Sequence, residues 1–193
     1  MFSNGTTIQQ TNLKDCYVIK PKHFGDQRGY FCPFYIKEYL DQLGFKEVVQ
    51  TNRSKSSKNV LRGLHFQKEP YAQAKLVEVI HGAAIDLVVD YRPESPTYMQ
   101  HTYVYLSPLD TDDPESGRQL FVPRGFAHGF ISLEDDTVFQ YLIDNVYMPS
   151  AEDGLRWDDP KLNIPWADIV KPYGIDMENI IISDKDRERE LLH

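Results

Sequence analysis

The stretch NVLRGLHFQ (59–67) sets an arginine and a histidine three positions apart inside an apolar, strand-like run. Arg62 is of a type that holds anions and His65 of a type that moves protons near neutral pH, provided both side chains reach one cavity. On a regular strand residues two apart share a face, so His65 sides with Leu61, Gly63 and Gln67, and Arg62 with Val60, Leu64 and Phe66. Gly63 lies between them, and a glycine inside a strand marks a place where a bulge re-aims its neighbours. The alternative is a surface arginine beside a core histidine, and this stretch alone leaves both open.

Further along, Lys75, Val77, Val79 and His81 share a strand face, which puts an ammonium among residues that want burial. A lysine at the strand's entrance with its amine in water is the plainer alternative. AAIDLVVDY (83–91) places Asp86 and Asp90 on one face of a strongly apolar strand, and a buried aspartate needs a partner that a histidine would supply. In FVPRGFAHGF (121–130) the spacing Pro123, Gly125, His128 resembles the second motif of the cupins, whose histidine is a metal ligand. The place of their first motif reads His65-Phe66-Gln67, so two histidines stand where a transition metal usually takes three or more protein ligands. No metal is therefore expected, and the histidines are free for proton transfer. VFQYLIDNVYMP (138–149) sets Phe139, Tyr141 and Ile143 on one face; Tyr141 is either core with a satisfied hydroxyl or a general acid opposite a histidine.

Positioning these residues falls to short runs rich in Val, Ile, Tyr and Phe, separated by Gly, Pro, Asp and Ser, the pattern of a sandwich or jelly roll. Strands are expected at 15–20, 46–53, 59–67, 74–81, 83–91, 98–106, 118–123, 127–133 and 137–147, with one helix in IKEYLDQLGF (36–45) stopped by Gly44. The acidic segment 110–118 reads as an exposed loop, and the charged tail 184–193 as a short terminal helix. A length of 193 residues with 41% hydrophobic content suits one domain spanning 1–193. A formal net charge of −8 argues against nucleic acid or an anionic membrane as partner, while leaving room for a small anion in a local basic pocket. There is no run of roughly 20 apolar residues and no signal-peptide pattern in MFSNGTTIQQ, so a cytoplasmic protein is expected. Cys16 and Cys32 suit a reducing compartment as inert packing residues.

Taken in order, FGDQRGYF (24–31), QTNRSKSSKNVLRGLHFQ (50–67), AQAKLVEVIHG (72–82), IDLVVDYRPESPTY (85–98), VPRGFAHGF (122–130), YLIDNVYMP (141–149), LRWDDPKLNIPW (155–166) and IISDKD (181–186) resemble the dTDP-4-dehydrorhamnose 3,5-epimerase family of cupins. The resemblance implies an all-β jelly roll, the double-stranded β-helix of cupins, with a few short peripheral helices. It also implies a cofactor-free inversion of C3 and C5 of a nucleotide-linked 4-keto-6-deoxyhexose. In those terms His65 is the base, Asp186 its partner, Lys75 the group that holds developing charge on O4, and Tyr141 the acid on the opposite face of the ring. Arg62, Arg28, Gln50, Asn52, His128 and Tyr147 correspond to substrate-binding positions, Arg28 at the diphosphate and Tyr147 near the nucleotide, with Asp86 behind His128. The resemblance further implies a homodimer whose N-terminal segments are exchanged, so that residues near Arg28 complete the partner's cavity.

One departure stands out. Where the family usually continues after FGDQRG with a glutamate that reads the base, this chain has Pro33 and Phe34. Proton-transfer residues are untouched, so reaction class is read more firmly than nucleotide. A C3-only epimerase or a 3,4-ketoisomerase on a related sugar is the alternative enzyme, and a non-catalytic cupin that binds sugar nucleotides the alternative from another class.

Overall fold

The computed structural model of the chain describes residues 5–110 and 112–193. In chain order the elements are β1 (Thr7–Gln10), β2 (Tyr17–Lys20), β3 (Phe24–Asp26), β4 (Gly29–Phe31), α1 (Lys37–Gln42), β5 (Gln50–Ser56), β6 (Leu61–Gln67), β7 (Lys75–His81), β8 (Ala84–Asp90), β9 (His101–Leu106), β10 (Gln119–Val122), β11 (Phe126–Ser132), β12 (Thr137–Ile143), β13 (Glu152–Gly154), α2 (Trp166–Val170) and α3 (Asp184–Arg187). They form a six-stranded sheet, β1-β2-β10-β7-β12-β5, a five-stranded sheet, β13-β6-β11-β8-β9, and the separate hairpin β3-β4. The pairings within these sheets are antiparallel.

Alternation along each strand sorts side chains into three apolar layers. Between the sheets lie Val77, Val79, Val88, Leu120, Phe126, Phe130 and Phe139. The outer face of the five-stranded sheet, with Ile85, Leu87, Val89, Ala127 and Ile131, is covered by Leu155, Leu162, Trp166, Ile169 and Val170 of the C-terminal segment. Leu40 and Phe45 cover Leu76, Phe121 and Leu142 on the outside of the other sheet. Because β8 is covered on both faces, all seven of its residues are buried, which is why AIDLVVD reads as an unbroken run with its aspartates inside.

In β6 the period of two breaks. Leu61 and Leu64, three apart, both pack into the outer layer. The register against β11 pairs His128 with His65 and Phe130 with Arg62, so Gly63 and Leu64 together oppose Gly129. Gly63 has φ +122, a conformation side chains rarely adopt, and this is the bulge expected between Arg62 and His65.

Nine expected strands are present with shifted ends. Asp15, Asn59 and Met99 have positive φ, so β2, β6 and β9 begin after them. β5 runs 50–56 rather than 46–53, because Phe45 packs outside the sheet while the polar stretch beyond Val49 pairs as an edge strand with β12. β12 stops at Ile143, since the buried Asp144 carboxylate accepts from Ala74 N and pairs with Arg124. The short strands β1, β3, β4 and β13 carry no alternating apolar signal and are not among the expected ones. The tail forms one helical turn, capped by Ser183, and ends in irregular chain tied down by Leu192 N donating to Asp159 (2.6 Å). Among the described residues of 110–118, Ser116 is buried and holds the loop by bonds to Asp110 O and Asp113 O. Among the described residues no helix is long and apolar enough to cross a membrane.

A Cβ added at Gly63 would lie 2.6 Å from Gly129 Cα and 2.8 Å from His128 O, both backbone atoms. Gly63→Ala is therefore expected to lower stability by about 2–4 kcal/mol, roughly 5–15 °C in Tm. Gly25→Ala, whose Cβ meets only Gly29 O at 3.7 Å, stays within about 0.5 kcal/mol. Thermal melts of the two variants side by side check this; a Gly63→Ala melt that matches wild type contradicts it.

Candidate active site

A cavity of about 570 Å³ opens between the sheets, closed on one side by residues 181–186. Its walls come from both sheets. β6 contributes Arg62 and His65, and β11 His128 and Phe130; from the facing sheet β7 contributes Lys75, β12 Phe139 and Tyr141, and β5 Ser54. Asp186 reaches in from α3.

His65 Nε2 lies 2.6 Å from Asp186 Oδ1. The other oxygen, Oδ2, accepts from Gly63 N at 3.4 Å, and the Asp186 N–H donates to Ser183 Oγ, which fixes the turn. Burial alone would raise the Asp186 carboxyl, but His65, the Gly63 amide and Ser183 outweigh it and hold the group below the usual carboxylate range. A carboxylate kept ionised beside an imidazole makes a base held in one orientation.

A second pair sits deeper. His128 Nε2 is 2.6 Å from Asp86 Oδ1, and both residues are buried. Burial pushes the imidazole down, only partly offset by Asp86, and pushes the Asp86 carboxyl up, so both shifts favour neutral forms. Asp86 Oδ2 makes no hydrogen bond among the described residues, and Lys75 is the further cation acting on this carboxylate.

The Lys75 amine is pushed down to about 8 by burial, with Asp86 and Glu152 pulling the other way. An ammonium this poorly solvated interacts strongly with any negative charge that forms nearby. Burial also raises the Tyr141 phenol, offset in part by the Asn52 side chain and the Arg62 guanidinium, so it stays protonated at neutral pH. Arg62 is held by Ser56 Oγ (3.1 Å) and Lys55 O (3.4 Å).

The cavity thus brings together His65, Asp186, Lys75, Tyr141, Arg62 and His128, with Asp86 directly behind His128. Other expected residues lie off its walls. Asn52 pairs in register with Tyr141, and Gln50 Nε2 donates to Asn52 Oδ1 at 2.5 Å. Tyr147 is exposed, and its hydroxyl donates to Glu152 Oε2 at 2.5 Å. Arg28 stands on the β3-β4 turn, 85% exposed and paired with Asp26. Pro33 and Phe34 lie by Tyr39, Leu40 and Gln119 outside the six-stranded sheet, away from the cavity. Glu152 and Lys185, joined at 2.5 Å, line the cavity and were not anticipated. Lys185 neighbours Asp186 in the IISDKD motif, which could have flagged it; EDG (152–154) offers no such signal. Among the described residues no three His, Cys, Asp or Glu side chains are grouped to hold a metal ion.

A two-sheet jelly roll whose cavity holds a histidine–carboxylate pair, a desolvated lysine and a protonated phenol defines a proton-transfer enzyme on a cupin scaffold. The family model for dTDP-4-dehydrorhamnose 3,5-epimerase matches residues 10–193. A relative of that name from Shigella flexneri is 43% identical over 181 residues, covering 93% of this chain and 92% of its own. The solved dTDP-4-dehydrorhamnose 3,5-epimerase of Elizabethkingia anophelis superposes with a TM-score of 0.85 at 39% identity, covering 96% of each chain. The dTDP-6-deoxy-D-glucose-3,5-epimerase of Legionella pneumophila, solved in complex with dTDP-4-keto-L-rhamnose, gives 0.83 at 37% identity, covering 96% of this chain and 92% of its own. The chain belongs to the dTDP-4-dehydrorhamnose 3,5-epimerase family and is an epimerase of the isomerase class.

With lysines labelled by ¹³C, one amine is expected to titrate near 8 and to vanish from the spectrum in Lys75→Met. Removing the anion that favours its protonated form, by Asp86→Asn, moves that midpoint lower still. An NMR titration in which every lysine stays near 10 overturns this description of the cavity.

Proposed function

We propose that the protein converts dTDP-4-dehydro-6-deoxy-D-glucose to dTDP-4-dehydro-β-L-rhamnose by inverting C3 and C5, working in the cytoplasm as a homodimer without metal or cofactor. The observation that carries this is the placement of His65 and Tyr141 on opposite sheets, facing one cavity. Inverting a carbon requires a proton to leave one face of the ring and another to arrive on the opposite face. A histidine on one wall and a phenol on the other meet that requirement.

The C4 ketone acidifies the protons on both neighbouring carbons, so one keto group serves both inversions. His65, oriented by Asp186, takes the proton from carbon; the electron pair moves onto O4, where the Lys75 ammonium stabilises the enolate. Tyr141 then delivers a proton to the far face. His128, backed by Asp86, contacts the sugar, and Arg62 holds the anionic end of the substrate. Gln50, Asn52 and Tyr147 extend the binding surface toward the nucleotide. The ligand held by the Legionella relative supports a dTDP-linked sugar.

The hairpin β3-β4 supports the dimer. It pairs with neither main sheet and exposes Phe24, Tyr30 and Phe31, the last at 68%. An apolar hairpin carrying Arg28 away from its own cavity suits a segment that crosses to a second copy and contributes the arginine there.

His65→Asn is expected to lower both solvent-deuterium uptake into the substrate and product formation by roughly 10²–10⁴-fold. Tyr141→Phe keeps uptake within about tenfold of wild type while losing most inverted product, since the first deprotonation needs only the base and the enolate stabiliser. Proton NMR of the product resolves inversion at C3 from inversion at C5. Near wild-type exchange in His65→Asn, or equal losses of uptake and product in Tyr141→Phe, contradicts the assignment.

Sedimentation is expected to show a dimer at working concentrations. Arg28→Ala leaves that dimer intact and raises KM for the substrate by about tenfold, the loss of one charge-assisted contact. A fully active monomer is the opposite result.

A further inference from the structure

Arg189 follows α3 by two residues, in a tail whose charge reads as surface, yet its side chain is only 13% exposed. Its Nε and Nη2 atoms are buried and make no hydrogen bond among the described residues. Instead the guanidinium stands among three carboxylates: Nε is 3.7 Å from Asp186 Oδ1, Nη1 3.7 Å from Asp153 Oδ1, and Nη2 4.0 Å from Glu152 Oε1. Asp186 Oδ1 is the same oxygen that meets His65 Nε2 at 2.6 Å. The space for the guanidinium exists because residue 154 lacks a side chain, since a Cβ there would lie 2.6 Å from Arg189 Cζ.

A buried cation with unmade hydrogen bonds is costly unless its charge is used. The charges around His65 show a use. Asp186, Glu152 and Asp153 are faced by Lys185 and Lys68, which pair with Glu152 and Asp153, and by Arg189. Arg62 on β6, Lys75 on β7, Tyr141 on β12 and the buried His128 on β11 with Asp86 behind it complete the ionisable groups on the other walls. Of Lys185, Lys68 and Arg189 it is Arg189 that reaches the Asp186 oxygen in contact with His65, at 3.7 Å.

We propose that Arg189 is a positioning residue for the epimerisation, holding the Asp186 carboxylate against His65 and offsetting its charge so that the imidazole stays neutral and available as a base. This rests on the reading of His65 as the base. Without the guanidinium an uncompensated negative charge remains beside His65; the imidazolium is favoured, and the enzyme must reach a higher pH before the base is free.

Arg189→Gln is expected to move the acid limb of the kcat/KM pH profile upward by roughly half to one unit and to lower kcat at pH 7 by about two- to tenfold, with KM within about twofold. Arg189→Lys restores the charge and brings the limb back to within about 0.2 unit of wild type. Arg189→Met, which keeps the apolar stem, carries the same expectation as Arg189→Gln if the latter does not fold. An unmoved limb, a change confined to KM, or a lysine variant that behaves like the glutamine one overturns the proposal. So does loss of the fold in both neutral variants, which makes Arg189 a residue of structure alone. His65→Asn run in parallel separates the two failures: retained exchange there removes the base reading, whereas an inert His65→Asn with an unmoved Arg189→Gln profile removes only the role of Arg189.

Discussion

Close backbone contact between Gly63 of β6 and Gly129 of β11 is the constraint on which the site depends. Neither position tolerates a Cβ: one at Gly63 meets Gly129 Cα, and one at Gly129 meets Arg62 O at 2.5 Å. Two glycines facing each other let the strands approach while one carries an extra residue, and the extra residue turns Arg62 and His65 to the same side. A regular strand would send one of them into the outer apolar layer, where an unpaired guanidinium or imidazole costs several kcal/mol. The same shift puts Leu61 and Leu64 together in that layer, so the irregularity leaves the core filled on one side and the cavity polar on the other.

Two histidine–aspartate pairs lie side by side on β6 and β11, since His65 and His128 are partners in register. Their chemistry diverges through surroundings rather than composition. Asp86 has one imidazole and little else, and burial drives its pair toward neutral forms. Asp186 has an amide donor and a hydroxyl as well as its imidazole, and stays ionised. Identical residue types therefore supply a pair driven toward neutral forms in one place and an ionised carboxylate beside an imidazole in the other, the usual way in which one fold sets up different proton chemistry at one pH. Lys75 belongs with the deep pair, being destabilised by the burial that neutralises it and supported by its aspartate.

Much of this was legible from local pattern. Gly63 announced the bulge, and an aspartate inside the strongly apolar run 83–91 required a partner that a histidine would supply, with the family resemblance pointing to His128. Asp186 was legible only through family resemblance, because it lies 121 residues from His65 and no periodicity links them. Glu152 escaped because β13 is three residues of polar chain whose strand character comes from pairing with β6 rather than from its own preferences. Arg189 escaped for a related reason: in DKDRERELLH it is one charge among many, and only the space left by Gly154 distinguishes it. Arg28 was legible as a motif residue and not as a wall of this cavity, since a single chain leaves its hairpin pointing elsewhere.

The far edge of β6 shows how the distant aspartate is brought home. β13 pairs with it from Gln67 to His65, and further along the C-terminal segment bridges it, with Leu61 N donating to Ile181 O and Ile181 N to Asn59 O, both at 2.9 Å. Between these two stretches lies the bulge. There the Gly63 N–H, turned out of the ladder, has no strand to receive it, and a buried amide must find an acceptor. It finds Asp186 Oδ2, placed by a helical turn that starts three residues after the bridge. The irregularity that aims His65 inward therefore also frees the donor that anchors the carboxylate beside it. Imidazole and carboxylate are located by one backbone feature, so a displacement of β6 along β11 would carry both together rather than separate them.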